Sequence, residues 1–127
     1  MSKVLVIDDD PVITSMFGHL LRAEGFSVET AADGEQGLKT LRQFRPDVVL
    51  LDLNLPRISG ITWLRRIRRR AKSRWLPVVI LTDGATRAQL KAAKNSDATL
   101  VLSKSAMRPG MIVEMISVAA GRAKFLT

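Results

Sequence analysis

Short apolar runs recur along the chain, and each is separated from the next by a segment with helical spacing. Four runs are strong, at residues 4–7, 48–51, 78–81 and 100–102, and a weaker one covers residues 27–31. Because the strong runs are apolar on both faces, they predict buried parallel strands. The weaker run predicts a strand at an edge of the sheet.

The intervening segments place their apolar residues on one helical face. In the first three segments these residues are Ile13, Met16, Phe17, Leu20 and Leu21; Leu38, Leu41 and Phe44; and Ile61, Leu64, Ile67 and Ala71. An alanine-rich fourth helix is predicted over about 86–95 and a fifth over 107–122. Strands that alternate with single helices predict a parallel sheet covered by helices on both faces. The expected fold is an α/β domain of five βα units.

Composition limits the chemistry that such a domain can perform. The chain has 127 residues, no cysteine and one histidine, His19, which we expect to face solvent. Catalytic triads, thiolate sites and multi-histidine metal sites are therefore excluded. The length predicts a single domain over residues 1–127. No apolar run approaches the roughly 20 residues that cross a bilayer, and no secretory signal is recognised, so we expect no membrane contact and a cytoplasmic location.

Polar residues follow the predicted strands at the points where the strands end. They are Asp8, Asp9 and Asp10 after the first strand, Asp52 after the third, Thr82 after the fourth, and Ser103 and Lys104 after the fifth. Ligands of doubly wound sheets bind at the carboxyl ends of the strands. Asp10 precedes Pro11 and is interpreted as a helix cap. The remaining carboxylates would repel one another unless a cation joined them, and oxygen ligands favour Mg²⁺.

These residues resemble the receiver domain of response regulators. The matching stretches are residues 4–9 (VLVIDD), 48–56 (VVLLDLNLP) with Gly60, 76–82 (LPVVILT) and 102–104 (LSK). The resemblance covers nearly the whole chain. It implies a flavodoxin-like, doubly wound, five-stranded parallel sheet in the order 2-1-3-4-5 with five helices.

The resemblance also implies roles for individual residues. Asp52 would accept a phosphoryl group from a phosphohistidine on a histidine kinase or a histidine phosphotransfer protein, with Thr82 and Lys104 contacting that group. Mg²⁺ would be held by Asp9, Asp52 and the main-chain carbonyl of Asn54, with Asp8 acting through water. The domain would catalyse only its own phosphorylation and dephosphorylation, and is not expected to be an enzyme with a separate substrate.

The implied output is a changed surface on helix 4, strand 5 and helix 5. This surface would be read by a downstream effector protein, by a fused output domain, or by a second copy in a phosphorylation-dependent homodimer. Four residues depart from the family pattern and crowd this side of the domain: Ser105, Asp83, Val101 and Asp97. Ser105 replaces the usual proline after the lysine, Val101 the usual aromatic residue, and Asp97 a common glycine. Asp83 adds negative charge beside the site, where it is expected to disfavour an incoming phosphoryl donor or to alter the lifetime of the phosphate.

The formal net charge is +8, and basic residues concentrate on and after the third helix. They are Arg65, Arg66, Arg68, Arg69, Arg70, Lys72 and Arg74. A solvated helix face is the default interpretation, and an acidic partner at Arg65, Arg66, Arg68, Arg69 and Arg70 is the alternative. A phosphorylation-independent interaction module docking through this helix is therefore a second candidate function. A basic, nucleic-acid-associated domain is a third, although direct nucleic-acid binding is not expected because no helix-turn-helix, zinc-finger or aromatic RNA-binding signature is found.

Overall fold

The computed structural model describes residues 2–121, which form five strands and five helices in strict alternation. The strands are β1 (Lys3–Ile7), β2 (Ser27–Ala31), β3 (Val48–Leu51), β4 (Val78–Thr82) and β5 (Leu100–Ser103). The helices are α1 (Pro11–Ala23), α2 (Gly34–Phe44), α3 (Gly60–Arg68), α4 (Arg87–Asn95) and α5 (Pro109–Ala119).

The strands form one parallel sheet in the order β2-β1-β3-β4-β5. This confirms the predicted order and the edge position of β2. The chain reverses its direction of travel across the sheet at β1, which pairs with β2 on one side and β3 on the other. A crevice for ligands opens at such a switch point, outside the carboxyl ends of the strands.

Alternate strand residues face opposite sides of the sheet, and each side is covered by helices. On one side Val4, Val6 and Leu50 pack with Phe17 of α1 and Ile112 of α5. On the other side Leu5, Ile7 and Leu51 pack with α2, α3 and Ala93 of α4. This arrangement explains why the central strands are apolar at every position except Lys3 at the start of β1 and Thr82 at the end of β4. No helix within residues 2–121 is long and apolar enough to cross a membrane.

The helix starts follow local sequence signals. Asp10, Asp33, Ser59 and Thr86 each cap a helix, and each side-chain oxygen accepts a hydrogen bond from a backbone N–H in the first turn. The predicted cap at Asp10 is thus confirmed. Gly25 ends α1 with a φ of 89°, a conformation that glycine adopts without steric cost.

Three predicted features differ from the structure. Helix α5 begins at Pro109 rather than 107, since proline is suited to the first helical position. It ends at Ala119, before the predicted end at 122; residue 122 itself lies outside the described residues. Helix α3 ends at Arg68, so Ala71 lies beyond it and is exposed. Strand β5 is not buried on both faces: it is the second edge of the sheet, and Val101 is 38% exposed.

Candidate functional site

The carboxylates of Asp8, Asp9 and Asp52 converge at the switch point. Ile7 and Leu51 are register partners in β1 and β3, so the residues that follow them emerge side by side. The backbone N–H of Asp52 donates to the carbonyl of Ile7 at 3.0 Å, which fixes this alignment. Asp8 and Asp52 are buried and Asp9 is exposed. One carboxylate oxygen from each of the three lies within 4.8 Å of the others.

Lys104 contacts two of these carboxylates from the loop after β5. Its Nζ lies 2.8 Å from Oδ2 of Asp8 and 3.4 Å from Oδ2 of Asp52. Burial lowers the pKa of the Lys104 ammonium, but the hydrogen bond to Asp8 and the charges of Asp52 and Asp8 outweigh burial, and the pKa is raised overall. Lys104 therefore carries its charge at neutral pH and partly neutralises the acidic cluster.

Asp8 is held from several directions. Its Oδ1 accepts a hydrogen bond from the backbone N–H of Asp10 at 2.9 Å. Burial nevertheless raises the pKa of Asp8, with a further contribution from the charge of Asp52, and the contacts with Lys104 and Asp10 only partly counter this rise. An additional cation at this site would relieve the remaining cost of burying neighbouring negative charges.

Thr82 is the last residue of β4 and is 4% exposed. Its Oγ1 is buried and has no hydrogen-bond partner within residues 2–121. Buried hydroxyls are nearly always satisfied in native proteins, and an exception calls for an explanation such as a ligand. The strand end thus presents an unused donor and acceptor at the carboxyl edge of the sheet.

Asn54 lies in the loop after β3 and is exposed. Its backbone N–H donates to Oδ1 of Asp52 at 3.3 Å, so the loop turns back toward the acidic cluster. Gly60, the first residue of α3, explains how close this loop and helix can lie. A Cβ at Gly60 would lie 2.6 Å from the Cα of Leu53 and would clash with the carbonyl oxygen of Asp52. The absence of a side chain at Gly60 lets the start of α3 pack directly on the backbone of Asp52.

Two of the departures from the family pattern contact each other. Oδ1 of Asp83 accepts hydrogen bonds from the Oγ of Ser103 at 2.9 Å and from both the backbone N–H and the Oγ of Ser105 at 3.0 Å. The hydrogen bond from the Ser105 backbone, followed by those from the two hydroxyls, lowers the pKa of Asp83 despite the opposing effect of desolvation. We call this set of three residues the β4–β5 clasp.

In the β4–β5 clasp, Asp83 depends on Ser105 for two of its hydrogen bonds. Proline has no backbone N–H to donate, so a proline at position 105 would lose one of these bonds. No cis peptide bond occurs within residues 2–121. The charge of Asp83 is exposed and engaged by the loop that carries Lys104. The two substitutions therefore form a local unit that ties the β4–α4 loop to the β5–α5 loop.

The basic stretch divides into two groups in the structure. Arg65, Arg66, Arg69 and Arg70 are exposed, as the solvated-face interpretation predicts. Arg68 is instead half-buried and donates from Nε, Nη1 and Nη2 to the carbonyls of Ser96, Ser73 and Asp97 at 3.1, 3.2 and 2.9 Å, respectively. Burial lowers the pKa of the Arg68 guanidinium, and Asp97 partly opposes this. Arg68 is thus used by the fold and is not available to a partner.

Sequence reasoning missed this role of Arg68 as well as the burial of Trp63. Arg68 lies four residues after Leu64, beside the apolar stripe of α3, and that spacing was the available signal. Trp63 is 0% exposed, and its Nε1 donates to the carbonyl of Gly34 at 3.0 Å, joining α3 to the start of α2. His19 is exposed, as predicted.

A five-stranded parallel sheet in this order, with aspartates at its switch point and a lysine and a threonine on neighbouring strand ends, defines the receiver class of signalling domain. The chain belongs to the response regulator receiver domain family, whose sequence pattern matches residues 4–117. A structural relative, chemotaxis protein CheY4 of Vibrio cholerae, superposes with a TM-score of 0.87 at 30% identity, over 94% of this chain and 98% of that one.

Curated relatives are also similar to this chain. Transcriptional regulatory protein AfsQ1 of Streptomyces coelicolor is 45% identical over 82 residues, which are 65% of this chain and 35% of that protein. Probable transcriptional regulatory protein TcrX of Mycobacterium tuberculosis is 44% identical over 79 residues, 62% of this chain and 33% of that protein. The matched part spans only about a third of these relatives.

The acidic cluster fits the divalent cation that the family implies. Every side-chain ligand offered by Asp8, Asp9 and Asp52 is a carboxylate oxygen, the donor type that Mg²⁺ prefers. Two of the carboxylates are buried, and the single ammonium of Lys104 does not match three negative charges. The site therefore has both the ligands and the charge that a hard divalent cation requires.

Proposed function

We propose that Asp52 is the phosphoacceptor of this receiver domain and that its modification switches the surface formed by α4, β5 and α5. The observation that carries the proposal is the position of the Asp52 carboxylate, at the end of a central strand, next to Asp8 and Asp9 and in contact with Lys104. The proposed donor is a phosphohistidine on a histidine kinase or a histidine phosphotransfer protein.

In the proposed reaction an oxygen of Asp52 attacks phosphorus as the P–N bond of the donor breaks, and its electron pair returns to the histidine nitrogen. The product is an acyl phosphate. Mg²⁺ bound by Asp8, Asp9, Asp52 and the Asn54 carbonyl would supply positive charge for the oxygens of the phosphoryl group. Lys104 lies where its ammonium can leave Asp8 and pair with the new dianion. A weak carboxylate nucleophile needs this positioning and charge neutralisation.

Thr82 supplies the proposed link between chemistry and switching. Its unpartnered hydroxyl would donate to a phosphoryl oxygen on Asp52, across the neighbouring strand ends of β3 and β4. Such a bond is available only after modification, so it stabilises one state of the β4–α4 loop over the other. The curated relatives are named as transcriptional regulators. We propose that the switched surface acts on such an output, either fused to the domain or carried by a separate effector protein.

The test is the intact mass after incubation with acetyl phosphate, with and without Mg²⁺. We expect a single phosphoryl adduct on the wild-type domain that requires Mg²⁺ and disappears in Asp52→Asn. Asp47→Asn is the matched control, since Asp47 is exposed at the opposite end of the sheet. An adduct on folded Asp52→Asn, or an adduct formed equally well after removal of Mg²⁺, would contradict the assignment.

A further inference from the structure

A cleft of about 770 Å³ lies at the end of the sheet opposite to Asp52, beside the carboxyl ends of α2 and α3. Leu41 of α2 and Leu76 of the α3–β4 loop contribute apolar lining. The charged lining residues are Arg42, Arg45, Arg70 and Lys72. We call this feature the basic cleft. It is separate from the phosphorylation site, which lies at the carboxyl edge of the strands.

Within residues 2–121, no acidic side chain neutralises the positive charge of the basic cleft. None of the residues that line it is acidic. The ion pairs shorter than 4 Å found among residues 2–121 are those of Lys104 at the other end of the sheet. Asp47, adjacent in sequence to the lining residue Pro46, accepts a hydrogen bond from the backbone N–H of Lys3 at 2.7 Å. The four cations of the cleft thus form no ion pair with the described part of the chain, and they favour an anionic ligand.

The backbone at Arg45 points to the same conclusion. Arg45 ends α2 with a φ of 52° and a ψ of 65°, in the left-handed region where glycine or asparagine is the usual residue. An arginine at this position is strained relative to glycine. Because arginine is unfavourable for ending the helix, its presence at this position is better explained by a binding role of its cationic side chain.

An exposed tryptophan lies in the same loop as Leu76. Trp75 is 81% exposed, and the guanidinium of Arg74 lies 5.4 Å from the centre of its ring. Tryptophan and arginine are the residue types most enriched at the energetic centres of protein interfaces. A large apolar ring left in water beside a charged cleft is a feature that a partner can cover.

We propose that the basic cleft, with Trp75 at its side, docks an acidic peptide segment of a partner protein that carries an apolar side chain. The carboxylates of the segment would pair with Arg42, Arg45, Arg70 and Lys72, while its apolar side chain would enter between Leu41 and Leu76. Single-stranded nucleic acid fits less well, because its bases require several aromatic platforms and Trp75 is the single aromatic residue among the strongly exposed apolar side chains of the described part. The sugar-phosphate backbone also has no apolar group that would pack against Leu41 and Leu76.

The test is fluorescence anisotropy with a short labelled peptide of glutamates that carries leucines one helical turn apart. We expect this peptide to bind the wild-type domain, and to bind Arg70→Glu with Lys72→Glu about tenfold more weakly. The matched control, Lys91→Glu with Lys94→Glu on α4, changes the net charge equally on exposed residues and should bind within about twofold of wild type. Trp75→Ala, which removes an exposed side chain, should also weaken binding.

Three outcomes would overturn the proposal. Equal weakening in both double variants would show that only net charge matters. Equal binding of an all-glutamate peptide would show that the apolar floor is not used, and tighter binding of single-stranded oligothymidine would assign the cleft to nucleic acid. Thermal melting of each variant verifies the fold. Because Asp52 lies at the other end of the sheet, adduct formation from acetyl phosphate reports on the phosphorylation proposal separately.

Discussion

Thr82 carries a buried hydroxyl that makes no hydrogen bond with residues 2–121. A buried hydroxyl without a partner costs about 1–3 kcal/mol, and Oγ1 of Thr82 has none within the described residues. Thr82→Val should therefore leave the free energy of unfolding unchanged or raise it by about 1 kcal/mol, as measured by urea denaturation without a phosphodonor. After incubation with acetyl phosphate, the same variant should lose the change in hydrogen exchange across the β4–α4 loop.

Thr82→Ser is the control for that prediction, since it keeps the hydroxyl. It should retain the phosphorylation-dependent change in exchange. If Thr82→Val is destabilised by more than about 1 kcal/mol in the absence of a phosphodonor, the hydroxyl already has a stabilising partner in the unmodified domain. That result would contradict the proposal that the hydroxyl is kept free for a phosphoryl oxygen.

The side chain of Arg68 has a structural role, because it links the α3–β4 loop to the α4–β5 loop. Its guanidinium binds three carbonyls from the α3–β4 and α4–β5 loops. Arg68→Ala leaves these carbonyls without their donors, and should lower the free energy of unfolding by about 2 kcal/mol. Arg66→Ala removes an exposed arginine from the same helix and should stay within about 0.5 kcal/mol of wild type. Equal effects of the two substitutions in urea denaturation would refute the assignment.

The candidate site could be predicted at this scale, whereas the role of Arg68 could not. Asp8, Asp52, Thr82 and Lys104 all follow apolar runs, and parallel strands bring their carboxyl ends to one edge whatever the loops do. The partners of Arg68 are carbonyls in two loops whose paths depend on tertiary packing. Seven basic residues in one stretch look alike in sequence, and only the loop geometry distinguishes the one that turns inward.

At the scale of elements, the β4–β5 clasp joins two loops that flank the candidate site. Ser105→Pro removes both of its donors to Asp83, including the backbone N–H. We expect Lys104 to be held less firmly, and the rate of adduct formation from acetyl phosphate to fall severalfold. Ser105→Ala keeps the backbone donor and should have a smaller effect. Mass spectrometry over time measures both rates, and an unchanged rate in folded Ser105→Pro would show that the clasp does not position Lys104.

The elements themselves were largely predictable, because the strands are short apolar runs, the helices place apolar residues on one face, and four of the five helices begin at a capping residue. The misjudged features have physical causes that lie outside local patterns. Burial of β5 depends on its place in the sheet, and an edge strand can carry the same residues as a central one. The start of α5 at Pro109 is the exception, because the preference of proline for the first helical position is a local signal. Asp97 adopts a φ of 58°, which shows that the glycine-like turn before β5 persists without glycine.

At the scale of the whole molecule, the free energy of folding should depend on how the acidic cluster is neutralised. Lys104→Met leaves Asp8 and Asp52 buried without their ammonium, and should lower the free energy of unfolding by up to about 3 kcal/mol. Mg²⁺ should restore more stability in this variant than it adds to wild type, because it then opposes uncompensated charge. Thermal melting with and without Mg²⁺ measures both effects.

Lys94→Met is the control for the Lys104 substitution, because Lys94 is exposed on α4. It should change the free energy of unfolding by less than about 0.5 kcal/mol and leave the response to Mg²⁺ as in wild type. An equal response to Mg²⁺ in Lys104→Met and wild type would indicate that the cation and the ammonium do not act on the same carboxylates.

The close approach of Gly60 to the backbone of Asp52 places the start of α3 directly against that residue. The helix has nine residues and is therefore about 13 Å long. One end rests on the Asp52 backbone, and the chain that leaves its other end supplies Arg70 and Lys72 to the basic cleft. A tilt of α3 as a rigid body would therefore change the contact with Asp52 and the path of the chain into the basic cleft at the same time. If a peptide bound in the basic cleft changed the equilibrium for phosphorylation of Asp52, the proposed acceptor, by a given factor, phosphorylation would change the affinity of the cleft for that peptide by the same factor.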